Sequence, residues 1–275
     1  MEPLPIGVMF WADAPPREKL RQIKSLGVSC GQLGLAGDTN ISPATAEAWR
    51  TSLAEEGFTL VTIFTAYVGE SYADIPTVQK TVGFIPPPTR AEREARTLAA
   101  SDFAAAVGVP SLATHIGFVP HDRNHPDYVA VREMVRRVCD RCASNGQTFA
   151  LETGQEPATT LKQFIADVDR PNLKINFDPA NMILYGTGDP IEALEVVQSH
   201  VVSVHCKDGD WPPKTPPGAL GTERPLGQGS VGMPRFIAKL KEIGYTNALT
   251  IEREVHGDQQ RRDILAAIEL LRSLR

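Results

Sequence analysis

The chain has 275 residues, 42% hydrophobic and 22% charged, with a formal net charge of −5. It can bury a large core, as one big α/β domain or two small ones, and an acidic balance without a basic tract gives no support to a nucleic-acid or membrane-surface partner. The opening Met1-Glu-Pro-Leu-Pro lacks the basic region and long apolar run of a leader, and no stretch approaches a membrane span, so a cytoplasmic protein acting on a small molecule is expected.

Strand-like and helix-like runs alternate through the whole length, the rhythm of parallel βα units. The first strand is expected over residues 6–11, with a helix from Pro15-Pro16 to Gly27. The second spans 28–35, and its helix opens at Ser42-Pro43, an N-cap followed by proline at the first helical position, and closes at Gly57. The third, 58–65, leads into a long connection, 66–89, interrupted by Pro76 and Pro86-Pro87-Pro88, and then a helix to Gly108. Strand four, 111–116, is followed by a helix over 126–144. Cys139 and Cys142 lie deep in that helix, where packing explains a C-x-x-C better than redox chemistry; Cys30 and Cys206 read as packed strand thiols. Strands five and six, 148–152 and 173–178, carry helices near 160–168 and from Asp189-Pro190 to Ser199. Strand seven, 201–207, precedes a Pro/Gly-rich loop, 211–232, and a helix over 234–243. Strand eight, 248–252, is closed by an amphipathic helix over 259–274 with Ile264, Leu265, Ile268 and Leu271 at helical spacing.

Eight such units predict a single-domain α/β (β/α)8 TIM barrel over residues 1–275. No G-x-G-x-x-G follows the first strand, which removes the usual dinucleotide signature. The strand C-termini form the active face of such a barrel, so the connections 66–89 and 211–232 are expected to be lids.

Side chains alternate across a strand, so Val201, Ser203, His205 and Lys207 share one face while Val202, Val204 and Cys206 share the other. Strands five, six and eight end in Glu152, Asp178 and Glu252, each with apolar partners on the opposite face. Any one of these acids alone could be a solvated strand end. Together with His205 they supply the oxygen-rich set, plus one imidazole, that suits a divalent cation with open positions. His115, with inward parity at strand four, is expected either to touch substrate or to pack. His121, His125, His200 and His256 read as solvated. Trp11, Tyr67, Phe118 and Trp211 at strand ends could form an apolar wall against a sugar ring, with core packing the better reading for Phe118. Gly227-Gln-Gly229 is either a phosphate cradle or a tight turn.

Leu151-Glu152, Asn176-Phe-Asp178-Pro-Ala-Asn181, Val204-His205-Cys-Lys207-Asp208, Leu226-Gly-Gln-Gly229 and Leu240-Lys-Glu-Ile-Gly-Tyr245 leading to Ile251-Glu252-Arg-Glu254 resemble the xylose-isomerase-like barrels, the sugar phosphate isomerase/epimerase group. That resemblance is close in the C-terminal half and only rhythmic in the N-terminal half. It implies one catalytic metal ion (Mn, Mg, Co or Zn) held by Glu152, Asp178, His205 and Glu252, and a sugar-like substrate. It also implies Glu152 and Glu252 as the acid–base pair that removes and returns a proton beside a carbonyl, through a metal-stabilised enediolate. Members of the group often self-associate, which leaves a homo-oligomer open, with no interface legible in one chain. Two positions depart from the ketose 3-epimerases of the group: Asn181 stands where they carry a histidine, and Trp211 where they carry an arginine. These two, with Lys207, His115 and Glu156, are the candidate substrate contacts; an exposed loop acid is the alternative for Glu156.

The expected activity is therefore a metal-dependent isomerase or epimerase of a sugar or sugar derivative. A dehydratase could use the same proton abstraction. An AP-endonuclease-like protein would need further histidines at the ends of strands two and three, where Leu33-Gly-Leu35 and Thr65-Ala-Tyr67 stand. A barrel that binds a sugar without turning it over is the non-enzymatic reading.

Overall fold

A computed structural model describes residues 3–275. Its elements run β1 (Ile6–Trp11), α1 (Pro16–Lys24), β2 (Cys30–Leu35), α2 (Pro43–Glu56), β3 (Thr59–Thr65), α3 (Ile75–Thr81), α4 (Arg90–Val107), β4 (Ser111–Thr114), α5 (Pro126–Ser144), β5 (Thr148–Glu152), α6 (Ala158–Val168), β6 (Leu173–Phe177), α7 (Pro179–Tyr185), α8 (Pro190–Val197), β7 (Val201–Cys206), β8 (Asp208–Asp210), β9 (Thr222–Arg224), α9 (Met233–Glu242), β10 (Leu249–Ile251) and α10 (Gly257–Leu274). Eight strands close into a barrel in the order β1-β10-β7-β6-β5-β4-β3-β2, and every pairing within it is parallel. This is the (β/α)8 architecture that the alternating runs predict.

The helix boundaries follow local chemistry. Ser42 caps α2 by accepting the Thr45 N–H, with Pro43 behind it, and Gly57 ends the helix in the left-handed region. Asp189 caps α8 by accepting from Ile191 and Glu192. Cys139 and Cys142 are buried free thiols on α5.

Two layers of side chains result from the strand alternation. Outward residues such as Leu33, Ile63, Leu112, Leu151, Ile175 and Val204 join the main core beneath the helices. Inside the barrel the apolar set is small, Met9, Phe64, Ala113 and Ala150 with Val202 against them. The remainder of the interior is polar: Gln32, Thr62, Asn176, Ser203 and Thr250 are all buried. A barrel filled with polar groups toward its C-terminal rim is arranged around a site, because burying those groups is unfavourable unless they are hydrogen-bonded.

Strand parity holds with one correction. A register shift at Ile175/Asn176 pairs Ile175 with Val201 and Asn176 with Ser203, the signature of a β-bulge. Val201 therefore packs on the outer core and Val202 on the barrel interior, the reverse of simple alternation. From Ser203 onward the expected parity is restored.

Three features differ from the sequence expectation. Strand four ends at Thr114, so His115 lies just beyond it. The connection 66–89 contains α3, and Asp178 opens the additional short helix α7. Residues 211–232 do not form a featureless loop: β8 and β9 pair antiparallel, Asp208 with Arg224 and Asp210 with Thr222. The two long connections meet, with the Ile75 N–H donating to Gly218 O at 3.0 Å. Among the described residues no helix is long and apolar enough to cross a membrane.

Candidate metal centre

Neighbouring staves β5, β6, β7 and β10 bring Glu152, Asp178, His205 and Glu252 together, with one donor atom from each within 4.8 Å of all the others. Glu152, Asp178 and His205 are fully or almost fully buried. His205 Nδ1 lies 2.7 Å from Glu152 Oε1, 3.2 Å from Glu252 Oε2 and 3.5 Å from Asp178 Oδ2. Its other ring nitrogen, Nε2, is 3.1 Å from Gln32 Oε1. Nε2 also lies 3.2 Å from Asn176 Nδ2; a hydrogen on Nε2 satisfies the Gln32 carbonyl, which only accepts, and Nδ1 points at the three carboxylates. Gln32 is itself fixed, donating to Asn176 Oδ1 at 3.1 Å, which also accepts from Ser203 Oγ at 2.5 Å.

Two carboxylate oxygens in this cluster, Glu152 Oε1 and Asp178 Oδ2, are buried and have no hydrogen bond beyond what a protonated His205 Nδ1 supplies. Their sister oxygens are satisfied: Asp178 Oδ1 accepts the Asn181 N–H at 2.8 Å as the cap of α7, and Glu152 Oε2 is 2.5 Å from His115 Nε2. Buried anionic oxygens left unpartnered are costly, and here they converge with an imidazole nitrogen. This donor set, three carboxylates and one histidine, fits a divalent cation.

The electrostatics agree. Burial pushes the Glu152 carboxyl up, but the facing His115 and His205 imidazoles outweigh it and hold it below the ordinary carboxylate range. For Glu252, burial is likewise outweighed by His205 and Lys207, leaving it well below that range. Asp178 goes the other way, raised by burial that Lys207 and His205 offset only in part. His205 is held well above its ordinary value: burial opposes this, but Glu252 and Glu152 prevail. The proton that His205 retains at Nδ1 therefore lies among the three carboxylates, in the space that a cation would take.

The remaining candidates fall into place around this cluster. His115 is a partner of Glu152; its Nδ1 faces Gln155 Nε2 at 3.0 Å, which fixes the hydrogen on Nε2, and its ring sits between Phe64 and Tyr72. Lys207 is buried and anchored on Glu252 Oε2 at 3.0 Å, on Asn181 Oδ1 at 3.3 Å and on Glu254. Asn181 lines the cavity above the cluster. Glu156 is buried rather than an exposed loop acid: its Oε1 accepts the Val119 N–H at 2.7 Å, and burial pushes its carboxyl up to about 7. Trp211 is 45% exposed and does not border the cavity. Of the proposed aromatic wall only Trp11 lines it; Tyr67 is buried with its hydroxyl on Thr97 Oγ1, and Phe118 packs edge-on against Tyr185. Tyr72 and Tyr185 line the cavity instead. The glycine-rich stretch is a turn built on Asp208, whose carboxylate accepts the N–H groups of Gly209, Gly227 and Val231 at 2.9, 2.9 and 3.1 Å. A Cβ on Gly229 would meet Asp208 Oδ1 at 2.3 Å. The tight-turn reading holds there, the buried Asp208 carboxylate taking the Gly227 N–H and opposing an anion.

A parallel eight-stranded barrel with a carboxylate–histidine cluster at its C-terminal rim is the frame of a rim-site barrel protein. The chain belongs to the xylose isomerase-like TIM barrel family, whose model matches residues 20–274. It is similar to a xylose isomerase domain protein from Planctomyces limnophilus, at 46% identity over 99% of this chain and 97% of that one, with a TM-score of 0.94. A second relative is the uncharacterised protein YihM of Escherichia coli (strain K12), 27% identical over 172 residues. That alignment covers 60% of this chain and 52% of YihM, so the chain spans about half the length of that relative. The fold alone is shared with a D-psicose 3-epimerase solved in the presence of D-fructose (16% identity, 98% and 99% of the two chains, TM-score 0.71). The same holds for the probable 3-DHS dehydratase AsbF of Bacillus anthracis (14% identity, 97% and 99%, TM-score 0.68).

Proposed function

We propose that this chain is a divalent-metal-dependent isomerase or epimerase of a sugar or sugar derivative, moving a proton on a carbon beside a carbonyl. The observation that carries this reading is the convergence of four donors, Glu152 Oε1, Asp178 Oδ2, His205 Nδ1 and Glu252 Oε2, beneath a large cavity that Glu152 and Glu252 line. Glu152, Asp178, His205 and Glu252 would hold the ion. When bound, a divalent cation polarises a carbonyl and its neighbouring hydroxyl, and so stabilises the negative charge that develops on loss of the α-proton.

Glu152 and Glu252 come from barrel staves separated by two others, β6 and β7, so they flank the space between them. Each is held below the ordinary carboxylate range and is therefore ionised at neutral pH, the form a general base needs. Their orienting partners differ. The Glu152 carboxylate is steered by the His115 Nε2–H, itself locked by Gln155, and Glu252 by the Lys207 ammonium. One carboxylate can take the proton while the other returns one, to the opposite face of the same carbon for epimerisation or to the adjacent carbon for isomerisation. The connections 66–89 and 211–232, touching at Ile75 and Gly218, cover the cavity and limit water around this exchange.

Solvent-proton exchange tests the reading directly. Mn2+-loaded protein incubated with a panel of ketoses and keto-inositols in heavy water is expected to place deuterium on the carbon beside the carbonyl and to yield stereoisomers or positional isomers. Glu152→Gln and Glu252→Gln should each lower the rate by about 10²-fold or more. An unsaturated, dehydrated product would transfer the same site to the dehydratase reading, which the fold of AsbF accommodates. No exchange with any member of the panel would count against both.

A further inference from the structure

The cavity above the cluster is about 1370 Å³, larger than the roughly 300–1,000 Å³ usual for a small-molecule site. Its shape explains the excess. One part is the barrel mouth, walled by Met9, Phe64, His115, Glu152, Asn181 and Glu252. Past Trp11 the same cavity continues out of the barrel into a cleft between α1 and α10. The floor of that cleft is apolar: Val8 and Phe10 from the outward face of β1, Ile23 of α1, Leu26 just after it, and Ile264 of α10.

Charge restricts what can enter. Seven carboxylates line the whole cavity (Asp13, Asp74, Glu152, Glu223, Glu252, Glu254 and Asp258) against the cationic side chains of Lys19, Arg253 and Arg261. Lys19 is paired with Asp13 at 2.6 Å, and Arg253 with Glu223 at 2.7 Å and Asp263 at 2.8 Å. A divalent cation at the cluster would leave the cavity negative. In the Gly227–Gly229 turn the Gly227 N–H is taken by the Asp208 carboxylate and the Gln228 N–H by Pro225 O, and the Asp208 charge beside it repels an anion. A phosphate or carboxylate on the substrate would therefore meet net repulsion, Arg261, which donates to Ser25 Oγ, being the one lining Lys or Arg without a carboxylate partner among the described residues.

Two aromatic rings stand at the junction. Trp11 is 40% exposed and Tyr72 is 42% exposed, and both line the cavity. The seat of Trp11 depends on Gly34, where a Cβ would come within 2.6 Å of the indole. Half-exposed rings beside a polar compartment suit the apolar faces of a sugar ring, and an apolar floor beyond them suits a group that is not a sugar.

We propose that the substrate is an uncharged glycoside whose sugar ring bears a keto group, the carbonyl that proton abstraction needs, with that ring at the carboxylate–histidine cluster and an apolar aglycone past Trp11 in the cleft between α1 and α10. The proposal rests on the sugar-site reading above and adds the substrate class. Its test is binding, measured by titration calorimetry on the full chain with and without Mn2+, using glucose, glucose 6-phosphate and 4-nitrophenyl β-D-glucopyranoside as probes. The aryl glucoside should bind about tenfold or more tighter than glucose, and glucose 6-phosphate should be the weakest. Gln22→Trp, which puts a bulky ring at the exposed rim of the cleft, should remove the aryl advantage and leave glucose binding unchanged, whereas Trp11→Ala should weaken both ligands and the aryl glucoside more. Equal affinity for glucose and its aryl glycoside, tighter binding of the phosphate ester, or no binding of the aryl glucoside would overturn the proposal. None of these outcomes depends on turnover, so they are separable from a negative result in the deuterium experiment.

Discussion

His205 illustrates how a single side chain is set by the residues behind it. Gln32 holds Nε2 and thereby presents Nδ1 to the carboxylates. Partners of this kind tune ligand orientation, and their loss costs about 10–100-fold in metal affinity. Gln32→Leu is expected to weaken Mn2+ or Zn2+ binding by that factor in a chelator competition while the far-ultraviolet circular dichroism stays native; unchanged affinity would show that Gln32 is only packing. Glu156 gives a second prediction at this scale. Its folded-state carboxyl sits at about 7, above its ordinary value, because burial disfavours the charged form. The folded protein therefore binds that proton more tightly than the unfolded chain does. The stability it contributes is fully present below the ordinary carboxylate range and is lost as pH rises toward and through 7. Glu156→Gln removes this dependence, and in urea unfolding the variant should gain on wild type by roughly 2–3 kcal/mol between pH 4.5 and pH 8. Parallel pH profiles would contradict the assignment.

At the scale of elements, the cover over the cavity is held by an apolar cluster, Val78, Val82 and Tyr185 with Ile75, Phe118 and Leu220 against it, and by buried charge. Arg93 on α4 donates to Gly83 O at 2.5 Å and to Thr81 O at 2.7 Å, and Glu70 accepts from Tyr67 and Gly83, so the segment carrying α3 is tied down at both ends. Asp208 does the same for the other cover, accepting three N–H groups around β8 and the turn at Gly227. Asp208→Ala is expected to destabilise the protein by roughly 2–4 kcal/mol and to open residues 211–232 to limited proteolysis; a variant as resistant as wild type would show that the hairpin holds without it. These covers mark the boundary of what the sequence discloses. The last four barrel staves are legible because each is an apolar run leading into a polar residue, Glu152, Asp178, Lys207 and Glu252, and α2, α5 and α8 because Ser42-Pro43, Pro126 and Asp189-Pro190 announce their starts. α3 and α7 have seven residues each, and β8 and β9 three each, too short for periodicity to register. They form because tertiary partners exist for them. The same limit hides Gln32, which sits in the Gly-rich Cys30–Leu35, whereas Asn176 shares the readable parity of Asp178. Tyr72 lies in a connection with no period at all, and no local signal places it in the cavity. Val201 and Val202 misled because a bulge, invisible in sequence, exchanges their faces.

For the whole molecule, the acidic character read from composition reappears at the site. Glu152, Asp178 and Glu252 face one ammonium group, Lys207, and leave a local net negative charge that a divalent cation would balance. The proton on His205 Nδ1 competes for that place, so uptake should release a proton and the apparent affinity should fall steadily on acidification. Bound to the folded state alone, the ion should also stabilise the barrel, by about 2.7 kcal/mol at a hundredfold excess over its dissociation constant, seen as a rise in Tm that chelator reverses. The most direct test of the central claim is metal content per chain, determined by elemental analysis on protein purified without chelator and on Asp178→Asn. About one divalent ion per wild-type chain, and little in the variant at unchanged fold, is the predicted result. No ion in the wild type even after incubation with Mn2+, or equal content in both proteins, would contradict it and leave the orphaned carboxylates of Glu152 and Asp178 in need of another partner.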